Sequence, residues 1–147
     1  MNVDTTFLKR RHEKQIRFER SLLRELSLEA LKKSVGRFFG TAPASGGDMF
    51  GLAVEEGFYD IALEAYILGS RYSRIGYYGK PLEEVLESSE EERESYALAL
   101  YDFITFWLSG RFGSGDVKLQ ETCRQFVKYW FIEGFNNGKL RYKMRLH

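Results

Sequence analysis

Residues 130–139 read WFIEGFNNGK. Gly134 and Gly138 stand four apart in a stretch that otherwise reads as helix. Each costs such a helix about 1 kcal/mol relative to alanine, so the pair needs a physical reason. At 100° per residue, Leu119, Cys123, Phe126, Val127, Trp130, Gly134 and Gly138 share one face of a helix running from about Val117 toward Tyr142. Large side chains line the first half of that face and none lines the second. The taper lets another backbone approach just past Trp130. The helix bearing Phe58 is the natural partner, because its own Gly57 and Gly69 are small. The rival reading is an end cap, since Asn136-Asn137-Gly138 offers residue types favoured in the left-handed conformation there. Close packing is the preferred reading of Gly134 and Gly138.

The rest of the chain also reads as helix. Asp4, Thr5 or Thr6 can cap a first helix through FLKRRHEKQIRFERSLLREL, whose apolar positions are sparse at first and dense later. Ser27 can cap a second helix, SLEALKKSVGRFF, and GTAPASGGD (40–48) is a loop. From about Met49 to Arg74, Val54, Phe58, Ile61, Ala65, Leu68 and Tyr72 form one stripe. Glu56, Asp60, Glu64, Arg71 and Arg74 form the opposite one. IGYYGKP (75–81) reads as a loop, with Pro81 opening a short helix at LEEVLES. Ser89 and Glu92 have the capping-box spacing before ERESYALALYDFITFWLS, a helix apolar nearly all round and therefore expected at the centre. Gly110 ends it, and Asp116 is a natural cap for the last helix. No strand pattern and no solenoid repeat is seen. The expected fold is one all-α domain over residues 1–147, with five to six helices and a central apolar helix near 90–109. Residues 1–15 are expected to protrude or to meet a partner.

Composition narrows the chemistry. There are 147 residues, enough for a single sizeable core, and 23 aromatic residues to fill it. One cysteine, Cys123, excludes an intrachain disulfide and a cysteine zinc site. The only histidines are His12 and His147, so metal motifs built on paired histidines are absent and a catalytic triad would need a terminal residue. No cofactor or metal is called for. The longest apolar run, 96–108, is broken by Asp102 and falls short of the roughly 20 residues of a membrane span. With no leader pattern either, a cytoplasmic setting is expected.

Several residues invite a sharper reading. Asp60 and Glu64, four apart on one face, could form an acidic site. A solvated face ahead of Arg71 and Arg74 is the preferred explanation. Asp102 shares a stripe with Ser95 and Ser109 that leads toward water. Cys123 lies among apolar residues and reads as an inert core thiol. GRFGSGD (110–116) reads first as a connecting loop; it precedes a helix and could hold an anion, although no strand leads into it.

The charges are unevenly placed. Residues 1–40 carry ten Lys/Arg against five Asp/Glu, residues 41–116 five against fourteen, and residues 117–147 seven against two. Two basic ends thus flank an acidic middle within a net charge of +1. Internal or intersubunit attraction is the simplest use of that pattern, and a basic patch for an acidic partner is the sharper one. The expected interaction surface draws on Arg10, Arg11, Lys14 and Arg17 near the start. In the middle it takes Arg71, Arg74, Tyr77, Tyr78 and Lys80, where cations interleave with aromatic rings. At the end it takes Lys139, Arg141, Lys143 and Arg145.

Three blocks, LLRELSLEALK (22–32), EGFYDIALEAYILGSRYSRIGYYGK (56–80) and FVKYWFIEGFNNGKLRYKMRLH (126–147), carry a resemblance. They are similar to a family of small uncharacterised proteins, a domain of unknown function, from Bacillus and related spore-formers. The resemblance runs nearly the full length. It implies a cytoplasmic bacterial protein and carries over no activity, cofactor or catalytic residue. The functional expectation is a non-enzymatic protein–protein interaction or regulatory module, partnered by protein and self-associating as a homodimer. The alternative is a nucleic-acid-binding accessory protein using the basic termini and the Tyr77–Tyr78 loop. An enzyme built on Asp60, Glu64 or Asp102 ranks third.

Overall fold

The computed structural model describes residues 3–40, 49–107 and 117–144. Within them are six helices and no strand: α1 (Val3–Arg24), α2 (Leu28–Phe39), α3 (Met49–Tyr77), α4 (Leu82–Ser88), α5 (Glu90–Trp107) and α6 (Val117–Lys143). The fold is all-α and forms one domain.

Local chemistry sets several boundaries. The Ser27 Oγ accepts the Ala30 N–H at 3.0 Å and starts α2. Gly40, at φ +85°, closes it by donating its N–H to the Gly36 carbonyl. α3 runs one turn further than the sequence pattern predicts, taking in Ile75, Gly76 and Tyr77. It ends when Gly79 adopts φ +110° and donates to the Gly76 carbonyl at 3.0 Å, while the Lys80 N–H reaches the Ile75 carbonyl at 3.1 Å. This paired closure needs a residue that tolerates positive φ, and Gly79 supplies it. Pro81 then stands at the start of α4.

The expected capping box at Ser89 and Glu92 is not formed. The buried Ser89 hydroxyl donates to the Leu86 carbonyl at 3.3 Å and accepts from Arg93 Nε at 3.0 Å. Glu92 instead accepts the Tyr72 hydroxyl at 2.7 Å. Arg93 Nη2 also reaches the Leu86 carbonyl, at 2.6 Å, so a cation closes the α4–α5 corner.

The centre belongs to α3 and α6 rather than to α5. Ring pairs Phe58–Phe126, Tyr66–Trp130 and Tyr77–Tyr142 rise together along both helices, so the two run parallel. α5 returns antiparallel to α3, with Phe103 over Gly57 and Glu92 beside Tyr72. Only its stripe Ala97, Leu100 and Ile104 is fully buried, while Leu98 and Phe106 are 57% and 75% exposed. A continuous apolar run reads as buried on every side, but one stripe is all that the α3–α6 pair accepts.

That pair meets backbone to backbone. A Cβ placed on Gly134 would lie 1.9 Å from the Tyr66 carbonyl oxygen, and one on Gly69 would lie 1.9 Å from that of Phe131. Gly138 faces the Ser73 side chain, and α6 continues past it to Lys143, so Gly138 caps nothing. The buried Ser70 and Ser73 hydroxyls donate to the carbonyls of Ile67 and Ser70 on their own helix. They therefore bring little bulk and no unmet hydrogen bond to the seam. One core cluster lies where α1, α2 and α5 cover the pair, with Phe126 ringed by Phe38, Phe39 and Phe58. A smaller one, Leu68, Val85, Phe131 and Phe135, lies under α4.

In an exposed helix Gly134→Ala would stabilise. Here the added methyl meets a carbonyl that cannot yield, so we expect a loss of at least about 2 kcal/mol. Melting followed by circular dichroism should show a midpoint lower by at least about 4 °C. The exposed neighbour change Asn136→Ala should stay within about 0.5 kcal/mol of the parent. Equal effects of the two changes would rule out the backbone contact.

Candidate functional site

Parallel packing puts the C-terminal ends of α3 and α6 side by side. Helix C-termini carry partial negative charge and favour cations. Tyr77 stacks on Tyr142 at 5.9 Å, and Phe18 of α1 meets the other side of that neighbourhood, 5.1 Å from Tyr142. α1 is held there by Arg141. Its Nη1 donates to the Ser21 Oγ, and its Nη2 to the Ser21 carbonyl at 3.1 Å and to the Glu25 carboxylate. Arg71 of α3 adds a second tie, donating to Glu19 at 2.8 Å. That hydrogen bond holds the Arg71 guanidinium even more firmly in its charged form. The part of α1 before Phe18 continues beyond these ties and walls a groove.

The groove has a volume of about 1040 Å³. Arg10, Arg11, His12 and Lys14 of α1 face Arg71 and Arg74 of α3 across it. Phe7, Leu8, Phe18, Tyr78 and Tyr142 supply apolar surface, and Gln15 completes the lining. Among the described residues no Asp or Glu lines it, and Glu19 pairs with Arg71. Phe7 and Leu8 are 64% and 61% exposed, and Tyr78 is 73% exposed. Arg10, Arg11, Lys14 and Arg74 belong to none of the ion pairs among the described residues.

The expected interaction surface thus divides. Arg10, Arg11, Lys14, Arg71, Arg74 and Tyr78 come together in the groove. Tyr77 stands beside it, stacked on Tyr142 and edge-on to Tyr78. Arg17 and Lys143 are exposed outside the lining, as is the partly exposed Lys80. Lys139 lies 5.3 Å over the Phe135 ring and Arg141 is the clamp on α1, so both serve the fold. Arg145 lies outside the described residues. Sequence reasoning did not place His12, Gln15, Phe18 or Tyr142 in a site. The readable signal was Phe7 and Leu8, two large apolar residues in an otherwise solvated turn.

The other candidates separate from the groove. Asp60 and Glu64 are exposed on α3, and neither lines it. Among the described residues no group of three or more His, Cys, Asp or Glu could hold a metal ion. Asp102 is exposed, and the Gly110–Asp116 loop lies outside the described residues. Cys123 is fully buried, and burial pushes its thiol up to about 12. No helix among the described residues is long and apolar enough to cross a membrane.

An all-α fold whose joined helix ends hold a cationic, aromatic groove is the class of object these observations define. The chain belongs to a family described as a protein of unknown function (DUF2521), whose model matches residues 1–147. It is 29% identical over 142 residues to a protein of Bacillus subtilis (strain 168) called "Uncharacterized protein YbaK", a match that covers 96% of each chain. No solved structure matches it.

The raised Cys123 pKa has a measurable sign. An unfolded thiol ionises near 9 and the folded one near 12. The stability this difference contributes is complete below pH 9 and is lost as pH rises from there toward 12, by at most about 1.4 kcal/mol per unit. Burial also raises Tyr59, Tyr66 and Tyr72, which adds to the loss above about pH 10. Between about pH 9 and 10 the urea midpoint of Cys123→Ala should therefore fall less steeply than that of the parent. Parallel slopes would remove Cys123 as the source.

Proposed function

We propose that this protein is a non-enzymatic interaction module of the cytoplasm that captures an acidic, partly apolar segment of a protein partner in the α1–α3–α6 groove. The observation that carries this reading is the lining itself. Five Lys/Arg side chains face one cavity with no carboxylate among its described lining residues, beside open Phe7 and Leu8 side chains. An exposed ion pair contributes about 0–1 kcal/mol, so charge alone would bind weakly. Burying one Phe or Leu side chain contributes about 1.5–3 kcal/mol. The apolar anchors would therefore set affinity, while the cations set encounter rate and choice of partner. An enzyme reading has less support, because Cys123 is buried and held protonated while Asp60, Glu64 and Asp102 face solvent.

The nucleic-acid reading rests on Tyr78, open beside Arg74. Its neighbour Tyr77 gives one face to Tyr142, which leaves a poor platform for successive bases. Phe7 and Leu8 suit a peptide better than a phosphate backbone.

Fluorescence anisotropy with a labelled Glu-rich peptide bearing Phe and Leu, against oligothymidylate of similar length, separates the two. The peptide should bind more tightly, and its affinity should fall as salt rises. Arg10→Gln/Lys14→Gln/Arg74→Gln should weaken it about tenfold or more, as should Phe7→Ser/Leu8→Ser. Tighter binding of the oligonucleotide would transfer the groove to nucleic acid, and binding of neither would end the proposal.

A further inference from the structure

We infer that the segment captured by the groove is the acidic ridge of a second copy of this chain. The inference rests on the groove reading above and names its partner. The ridge is α4 with the first turn of α5. Residues 82–94 contain seven Glu against one Arg. Glu83, Glu84, Glu87 and Glu91 are exposed, and none joins an ion pair among the described residues. Four open carboxylates on one short ridge match Arg10, Arg11, Lys14 and Arg74, which are equally without ion-pair partners. The partly buried Leu82 and Leu86 on the same ridge offer apolar edges to Phe7 and Leu8.

One chain does not satisfy itself this way. α4 packs on α3, α5 and α6, and none of its Cα atoms lies within 8 Å of a described Cα of α1. Among the described residues the ion pairs between elements are Arg71–Glu19, Arg141–Glu25 and Arg124–Glu94. Only in the last does a cation of a basic end meet a carboxylate of the acidic middle, and that pair lies away from the groove. Most of the charge asymmetry is thus unspent within the molecule. A net charge of +1 also gives two copies little overall repulsion to overcome. The groove holds about 1040 Å³, at the upper end of the roughly 300–1,000 Å³ typical of small-ligand pockets, and so has room for several side chains.

Groove and ridge are different surfaces, so the contact is head-to-tail. Each added copy still presents one free groove and one free ridge. Assembly then grows with concentration and does not stop at a two-fold dimer.

Sedimentation velocity on the full-length protein tests this with Arg10→Gln/Lys14→Gln/Arg74→Gln, lacking the groove charges, and Glu83→Gln/Glu84→Gln/Glu87→Gln, lacking the ridge charges. All six positions are exposed, and circular dichroism should show both variants folded. The parent should grow beyond dimer at low salt and disperse as salt rises. Each variant alone should associate about tenfold or more weakly. Mixed in equal amounts they keep one competent junction, so the mixture should form a dimer and stop there. A parent that stays monomeric at every concentration, or a ridge variant that assembles like the parent, overturns the inference. The Glu-rich peptide titration tells the two failures apart. Peptide binding by a monomeric parent removes only the second copy as partner, whereas loss of both removes the groove reading as well.

Discussion

The α3–α6 seam is set by main-chain atoms rather than by side chains. Gly69 lies under the Phe131 carbonyl and Gly134 under that of Tyr66, so each helix offers a missing Cβ where the other presents a peptide group. The two glycines cost about 2 kcal/mol of helix propensity. Tyr66, Phe126, Phe131 and Phe135 flank the seam and are fully buried, each worth about 1.5–3 kcal/mol. Close approach is what lets these rings reach across to the opposite helix, so the small residues gain more through their neighbours than they lose themselves.

Parallel running is the second consequence. The chain must travel back through α4 and α5 before α6 can begin, which leaves the ends of α3 and α6 together. Cations gather there for two reasons that look identical in a sequence. Arg141 and Lys139 are consumed by the fold, one tying α1 down and one lying over Phe135. Arg10, Arg11, Lys14 and Arg74 join no ion pair among the described residues. The Arg141 clamp grips α1 at Ser21 and Glu25. It thereby fixes the helix near its C-terminal end and leaves residues 7–14 free to form a wall.

This division explains what could be read in advance. Ser27 starting α2 and the apolar stripe of α3 are local signals, and they appear in the structure as the sequence predicts. Ile75–Tyr77 is less legible, because Gly76 reads as a break in sequence whereas in the fold it packs on the Phe135 ring and Gly79 ends the helix. Ser89 and Glu92 had the spacing of a cap, but Arg93 and Tyr72 compete for their oxygens from other turns. Hydrophobicity along a helix does not say how many neighbours it has, and α5, apolar nearly all round, buries one stripe. The groove joins residues 7–18 to 71–78 and to 142, separations that no periodicity spans. Its ingredients were visible as basic runs and an aromatic cluster. Their meeting depends on the Arg141 clamp, which is a tertiary contact.

The net charge of +1 conceals this economy. An acidic middle between basic ends could have been spent on holding the chain together, and that would leave few unpaired charges facing solvent. Arg124–Glu94 is spent that way, and the other cross-helix pairs are used differently. Arg71 of the acidic middle pairs with Glu19 of the basic start, and Arg141 of the basic end pairs with Glu25 of that same start. In each pair one partner, Glu19 or Arg141, is largely covered and the other open to water, and the pairs orient helices that apolar packing has brought together. Cohesion comes from the glycine seam and the rings around it. Because the fold does not need the long-range charge pattern, that pattern stays on the surface, positive in the groove and negative on the α4–α5 ridge. A surface polarised in this way on a nearly neutral molecule attracts its complement at short range without repelling it at long range, which is the electrostatic condition for one copy to meet another.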